Sequence, residues 1–449
     1  MDNKVVSTSK IKSGISRRRF IGSSAALAGG VVINPLGVGA SAHAAGSDTL
    51  KLALVGCGSR GAGAVRDALR ADQSTELVAM ADIFRDQLDR SYDILTRAEG
   101  INQRIKVPEK HKFVGLEGYK KAIELADVVL LVTPPAFRPL HFEAAVNAGK
   151  HCFLEKPLSS DAPGNRRILA AGKQAGQQGL RVMVGLQNRY AVRYQNLIQQ
   201  FSEGAIGDIT SMRCNYLIGG LTLIPRQAGQ TEMEYQLRNW RHFNWLWAGG
   251  PSGLTIHMED IAHWAKGSHP IRANGTGGRV SMRGPEHGEV FDTYDIEYEY
   301  QDGTRLQSRT RYIEGCWFDR GIYFQGTKGS AVAPASGDIE IKDPGGQTIW
   351  RHQNDNDPSP YLTEHKDFFS AIRNETSLND ISWAAESNMT SILGRMAAHS
   401  GKRIDWDEAF NSDLNLVPDG ITFETVPADV PGEDGHYIHP VPGSGRRVL

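Results

Sequence analysis

Cysteine is scarce in this chain, with four in 449 residues. Cys57, Cys152, Cys214 and Cys316 are scattered, and none of the short spacings of a zinc site occurs. Cys57 and Cys152 fall within or beside apparent strands and read as packing thiols, while a bridge between Cys214 and Cys316 stays open. Net charge is nearly absent as well, at a formal -1. Lys4, Lys10, Lys12, Arg17, Arg18 and Arg19 lie in residues 1–44 against Asp2 alone, so the remainder is mildly acidic. That excludes a nucleic-acid surface, which needs clustered basic charge. Beyond residue 44 no apolar run is long enough to cross a membrane, and there is no internal repeat or low-complexity block. What is present is 40% hydrophobic and 22% charged residues, the composition of a globular protein. The length exceeds one ordinary domain.

The N-terminus reads as an address. SRRRFIG begins at Ser16, an apolar, small-residue run follows to Val38, and Ala40-Ser41-Ala42 and Ala42-His43-Ala44 are small-x-small sites. The segment resembles a twin-arginine export signal. This resemblance implies recognition by the twin-arginine machinery, removal of residues 1–44 and a periplasmic protein that folds before it crosses. A protein that loads a cofactor in the cytoplasm has reason to take that route.

From Leu50 onward strands alternate with helices. LKLALV (50–55), ELVAMAD (76–82), ADVVLLV (126–132), HCFLEKP (151–157) and RVMVGLQNRY (181–190) are apolar runs with helical patterns between them. Continuous apolar strands signal a parallel sheet covered on both faces. After about Tyr190 the pattern changes to period-2 alternation, as in DTYDIEYEYQDG and RLQSRTRYI, which indicates antiparallel strands. The fold class expected is α/β: a Rossmann dinucleotide-binding domain over 48–188 and an α+β domain with a largely antiparallel sheet over 189–410. Residues 411–449, rich in Pro, Gly and Asp, form an extended tail.

Gly56-Cys57-Gly58-Ser59-Arg60-Gly61 is G-x-G-x-x-G, directly after a strand and opening a helix. The first glycine permits the tight turn, the second lets a pyrophosphate approach the backbone, and the third lets helix and strand pack closely. The helix N-terminus offers free N–H groups and the positive end of its dipole to phosphates. Asp82 ends the second strand, where a carboxylate accepts hydrogen bonds from ribose hydroxyls and repels a 2′-phosphate. NAD is therefore expected over NADP, with Arg85 nearby as the feature that weakens the choice.

VTPPAFRPLHFEAAVNAGKHCFLEKPL, residues 132–158, resembles the signature of the Gfo/Idh/MocA oxidoreductases. It carries Thr133, Pro134, His141, Ala148–His151 and Glu155-Lys156-Pro157 in order. The likeness continues through FQGTKGS at 324–330, the EHKDFFSAIRN helix and HSGKRIDW. It implies a nucleotide domain and a second domain whose sheet backs the active site and mediates homo-oligomers. It places Lys156 beside the nicotinamide and the reacting hydroxyl, where an ammonium stabilises alkoxide character. Thr133, Pro134, His141, Glu155 and Gln187 join the cofactor side.

GPSGLTIHMEDIAHW, residues 250–264, crowds His257, Glu259, Asp260 and His263 together. The family resemblance includes a Gly-Gly turn followed by His-x-x-Asp, matched by Gly249-Gly250 and His257–Asp260. Three residues apart on a helix, His257 and Asp260 are expected to face the cleft together. A neutral imidazole there accepts the hydroxyl proton. Inositol dehydrogenase-like members carry an acid four positions before this histidine, and here that position is Gly253. A metal is not expected, because His257 and His263 lie about 120° apart on the helix. Glu259 and His263 are expected on its wet surface. Arg189 and Tyr190 follow a strand end and are expected at the crevice. Trp240 and Arg241 suit sugar rings and hydroxyls, although the tryptophan and phenylalanine positions between 240 and 247 equally suit interface packing.

Together these features point to an exported NAD-dependent oxidoreductase acting on a secondary hydroxyl of a sugar, glycoside or cyclitol. One alternative is a redox-neutral NAD-dependent glycosidase that oxidises, eliminates, hydrates and reduces around a tightly bound cofactor. The other is a nucleotide-stabilised carbohydrate-binding protein without catalysis.

Overall fold

A computed structural model describes residues 48–353, 355–418 and 420–445. The expected export signal lies outside the described residues. Two sheets organise the chain. The first is parallel throughout and has six strands: β1 (Leu50–Val55), β2 (Thr75–Asp82), β3 (Lys112–Val114), β4 (Val128–Leu131), β5 (His151–Leu154) and β6 (Val182–Val184). Its order is β3-β2-β1-β4-β5-β6. Leu52, Leu54 and Val128 pack on one face of this sheet, and Ala53, Val129 and Leu131 on the other. Burial on both faces explains why these strands read as continuous apolar runs.

The second sheet has nine strands. They are β7 (Ile209–Ile218), β8 (Arg272–Gly278), β9 (Thr293–Glu299), β10 (Arg305–Tyr312), β11 (Asp319–Gly326), β12 (Ser330–Pro334), β13 (Ile339–Lys342), β14 (Thr348–His352) and β15 (Ile404–Asp405). The order is β14-β13-β12-β11-β7-β10-β9-β8-β15, antiparallel except for the central β7/β10 pair. Alternation here is real. Tyr294, Ile296 and Tyr298 of β9 are buried while Asp295 is exposed and Glu297 half-exposed. The buried face lies under the helices Ile256–Lys266 and Ile381–Ser400.

The chain's last long helices return to the first sheet. The helix Pro360–Arg373 packs on the helix Ser59–Ala71, and the helix Ile381–Ser400 packs on Ala162–Gln177. Gly172 makes the second contact possible, because a Cβ there would lie 2.5 Å from Ile381 Cγ2. Among the described residues no helix is long and apolar enough to cross a membrane. All four cysteines are free; Cys57, Cys152 and Cys214 are buried and Cys316 is exposed. The possible Cys214–Cys316 bridge is therefore not formed.

Candidate active site

The ends of β1, β2, β4 and β5 open into one cleft of about 670 Å³. Its floor begins with the glycine loop. Gly56 has φ +97°, and a Cβ there would stand 2.7 Å from Thr133 N. A Cβ on Gly61 would overlap the Gly56 carbonyl oxygen, whereas one on Gly58 would meet nothing within 4 Å. The three positions thus serve a turn, an open approach to the backbone and a helix–strand contact, which is what a pyrophosphate cradle requires. The helix Ser59–Ala71 starts at Gly58 with no side-chain cap, so its first N–H groups remain free for an anion. Asp82 lines the same cleft. Its carboxylate accepts from Cys57 N at 2.6 Å and Phe84 N at 2.9 Å, which orients it at the strand end. Arg85 is drawn away to Asp89 and Glu109, at 2.7 and 2.6 Å. The residues therefore fit a dinucleotide whose ribose meets a carboxylate, and NAD is the cofactor they suit.

Thr133, Pro134, His141, Glu155, Lys156 and Gln187 all line the cleft. His141 Nδ1 lies 3.2 Å from Thr133 Oγ1, and burial pushes its imidazole down to about 3. Sequence reasoning missed Arg138. It is 1% exposed and donates to both Thr133 O and Pro157 O, tying the loop after β4 to the loop after β5. Arg60 pairs with Glu155, and its guanidinium also reaches Glu364 at 3.5 Å and the Tyr361 ring at 4.8 Å. The helix Pro360–Arg373 is thereby joined to the nucleotide loop.

Lys156 Nζ donates to Gly253 O at 2.9 Å. Burial brings this ammonium down to about 8; Arg241, Arg60 and Arg138 add to the effect and Glu155 opposes it. His257 also lines the cleft, and its buried Nδ1 has no hydrogen-bond partner. Burial, with Lys156, Arg60 and Arg320 nearby, holds the imidazole well below its ordinary 6.5. Gly253 itself has a packing reason: a Cβ there would overlap the Trp247 indole. Where an acid was expected from the resemblance, an indole fills the space and a backbone carbonyl meets the lysine.

The rest of the 251–264 stretch corrects the expectation. Pro251–Thr255 is a π-helical turn, followed by the α-helix Ile256–Lys266, whose residues Ile256–His263 are all buried. Asp260 does not face the cleft. It is 0% exposed, accepts from Arg189 Nη2 at 2.8 Å and Nε at 3.0 Å, and accepts from Ser387 Oγ at 2.7 Å. Glu259 is not on a wet surface. It accepts from Ser308 Oγ at 2.7 Å, Tyr298 Oη at 3.1 Å and Ser391 Oγ, and burial raises it to about 7. His263 is likewise buried, with Nδ1 3.0 Å from Ser387 Oγ and Nε2 3.0 Å from Glu386.

Arg189 and Tyr190 are also absent from the cleft lining. The strand expected through Tyr190 stops at Val184, and Gln187–Tyr190 forms a 3-10 turn. That turn sends Arg189 to Asp260 and Tyr190 Oη to Asp380 Oδ2 at 2.6 Å. Trp240 and Arg241 do line the cleft, within a roof that includes Thr222, Ile224 and Leu237–His242. Phe243 and Trp245 are buried and serve packing, while Trp247, also buried, borders the cleft. A further unread residue is Tyr216 at the end of β7, whose ring centroid is 6.3 Å from that of His257.

The C-terminal segment spans both sides of this cleft. Leu416 N donates to Asp161 Oδ2 at 2.8 Å, and the Phe423 ring lies 6.1 Å from Phe84, two residues after Asp82. Tyr437 is 2% exposed, donates to Glu232 and accepts from Arg226 Nη2 at 3.0 Å. Floor and roof are strapped together by one run of chain.

The oxidoreductase family with an NAD-binding Rossmann fold, Gfo/Idh/MocA, matches residues 50–186. Inositol 2-dehydrogenase of Klebsiella pneumoniae (strain 342) is 32% identical over 170 residues, covering 37% of this chain and 45%, less than half, of that relative. Inositol 2-dehydrogenase of Serratia proteamaculans (strain 568) is 31% identical over 303 residues, covering 66% of this chain and 77% of the relative. The crystal structure of aldose-aldose oxidoreductase from Caulobacter crescentus, with glycerol, has a TM-score of 0.63 at 18% identity, over 80% of this chain and 99% of that one. That likeness is one of fold. The glycine constraints, the Thr-Pro and Glu-Lys-Pro loops they face, and the extent of the match to the Serratia relative lead to one conclusion: the chain belongs to the Gfo/Idh/MocA family of oxidoreductases.

Proposed function

We propose that the protein is an exported NAD-dependent oxidoreductase that oxidises a secondary hydroxyl of a sugar, glycoside or cyclitol, hydride leaving the carbon that bears it. The observation that carries this reading is Lys156: half-buried, fixed on the Gly253 carbonyl, and lowered to about 8 at the mouth of a dinucleotide cradle. Bound NAD would supply the hydride acceptor. The glycine loop, Asp82 and the Thr133–Pro134 loop hold the nucleotide side. Arg138 fixes the Lys156-Pro157 loop against Thr133. A general base works best with a pKa near the operating pH, and Lys156 meets that condition better than His257. In its neutral form the amine takes the hydroxyl proton. His257, uncharged over the working range, orients that hydroxyl through a ring nitrogen facing the cleft. The catalytic role expected for Asp260 is dropped, because its carboxylate belongs to Arg189 and Ser387.

The contacts of Phe423 with Phe84 and of Tyr437 with Glu232 and Arg226 favour a retained cofactor, since they brace the chain on either side of the cleft. Retention suits a compartment with little free dinucleotide and leaves the redox-neutral glycosidase as the second reading. Native mass spectrometry of the purified full chain, before and after addition of sugars and glycosides, tests both. Bound NAD that becomes reduced supports net oxidation. Release of free sugar with the cofactor unchanged selects the glycosidase. Bound NAD that no sugar ever alters, with no sugar released, overturns both.

A further inference from the structure

Two arginines near His257 have no anionic partner: Arg241 lines the cleft, and Arg320 stands behind its lining, over the Tyr216 ring that lies beside His257. Arg241 stands in the open lining of the roof. It makes a cation–π contact with Trp240 at 5.2 Å, and no carboxylate among the described residues pairs with it. Arg320 is the second residue of β11 to pair with β7, directly opposite Tyr216. Its guanidinium lies 5.8 Å from the Tyr216 ring and 5.1 Å from the Phe318 ring, and its Nε is buried without a hydrogen-bond partner. Tyr216 in turn lies beside His257. Arg189, Arg60 and Arg373 have carboxylate partners in Asp260, Glu155 and Asp72, and the buried Arg138 donates to two backbone carbonyls, whereas the guanidinium of Arg241 is left to the cleft. The acidic neighbours on β11 do not help. Asp319 is taken by Asn215 at 2.6 Å and Tyr323 at 2.9 Å.

A guanidinium partly removed from water with no counter-charge is costly, and the cost vanishes when an anion arrives. Its planar fork fits a carboxylate or a phosphate in bidentate fashion. Lys156 adds a third positive group, in the same cleft lining as Arg241. The pyrophosphate of the cofactor would have its own cradle in the glycine loop Gly56–Gly61, whose Arg60 is already paired with Glu155.

We propose that the substrate carries an anionic group, a sugar carboxylate or a sugar phosphate, that engages Arg241 and Arg320 around Tyr216. This rests on reading the cleft as a sugar-oxidising site and names the substrate class within it. Neutral sugars and cyclitols are then poor ligands.

Titration calorimetry on the NAD-loaded full chain tests the proposal with D-glucuronate, glucose 6-phosphate and D-glucose as probes. At least one anion should bind tenfold or more tightly than glucose, and whichever wins distinguishes carboxylate from phosphate. Arg320→Gln and Arg241→Gln should each reduce that preference about tenfold, while Arg320→Lys, which keeps the charge, should retain part of it and serves where Arg320→Gln does not fold. A preference of one or less for both anions, or a preference that survives both glutamine variants, overturns the proposal. Redox readout separates the two levels. If glucose reduces the cofactor and neither anion binds, the anion site is wrong and the oxidoreductase reading stands. If an anion binds with the expected preference and no sugar changes the cofactor, the site stands and the oxidoreductase reading falls.

Discussion

The helix Ile256–Lys266 has two sides that began as one cluster of ionisable residues and ended with opposite characters. On the cleft side, His257 has a buried Nδ1 with no partner, and Lys156 stands at the same cleft. On the inner side, Glu259 accepts from three hydroxyls, Asp260 from Arg189 and Ser387, and His263 is bracketed by Ser387 and Glu386. A buried polar group that is fully partnered stabilises one packing arrangement; one left unpartnered is free to meet a ligand. The contrast teaches that the density of ionisable residues does not locate a site. Which of them lack partners does.

Substitutions on the two sides should break different properties. Lys156→Met should have the largest effect, lowering kcat for hydride transfer about 10²- to 10⁴-fold while leaving bound NAD detectable by mass spectrometry. Asp260→Asn, on the inner side, should lower unfolding free energy by about 3–5 kcal/mol, because Arg189 would keep its buried charge without a counter-ion. Urea denaturation measures this, and turnover per folded molecule should change far less than for Lys156→Met.

Glu259 gives a comparison that pH can read. Its carboxyl is raised from the ordinary 4.5 to about 7. Between those values the folded protein holds a proton that the unfolded chain has lost, so stability falls as pH rises through the window and stays reduced above it. Glu259→Gln should therefore match wild type below pH 4.5 and exceed it by about 3 kcal/mol above pH 7, as measured by denaturation at both ends. The smallest effect concerns the boundary between the two sides. Gly253→Asp would supply the acid that the family resemblance led one to expect there, yet it should destabilise by about 2 kcal/mol through overlap with Trp247 and give no gain in turnover.

The glycine loop was legible because its constraints are local: a turn, a close backbone contact and an open approach all lie within six residues of Gly56. The parallel sheet was legible for a similar reason, since strands buried on both faces have no polar alternation. The helix at 256 was not. Period 3.6 fixes angles between residues but not which side meets the core. The partner that decides Asp260 is Arg189, brought there by a 3-10 turn that the apolar run before it concealed. Arg320 and Tyr216 were hidden because their meeting depends on the pairing of β11 with β7. The trade of an acid for Trp247 at position 253 is visible only as space.

The most direct test is the pH dependence of single-turnover hydride transfer in the NAD-loaded protein and in Lys156→Met. With neutral Lys156 as the base, the wild-type oxidation rate should rise about tenfold per pH unit up to about 8 and then level. The variant should lose that step. A wild-type profile that is flat across this range, or a step that persists unchanged in Lys156→Met, would contradict the assignment of proton transfer to Lys156.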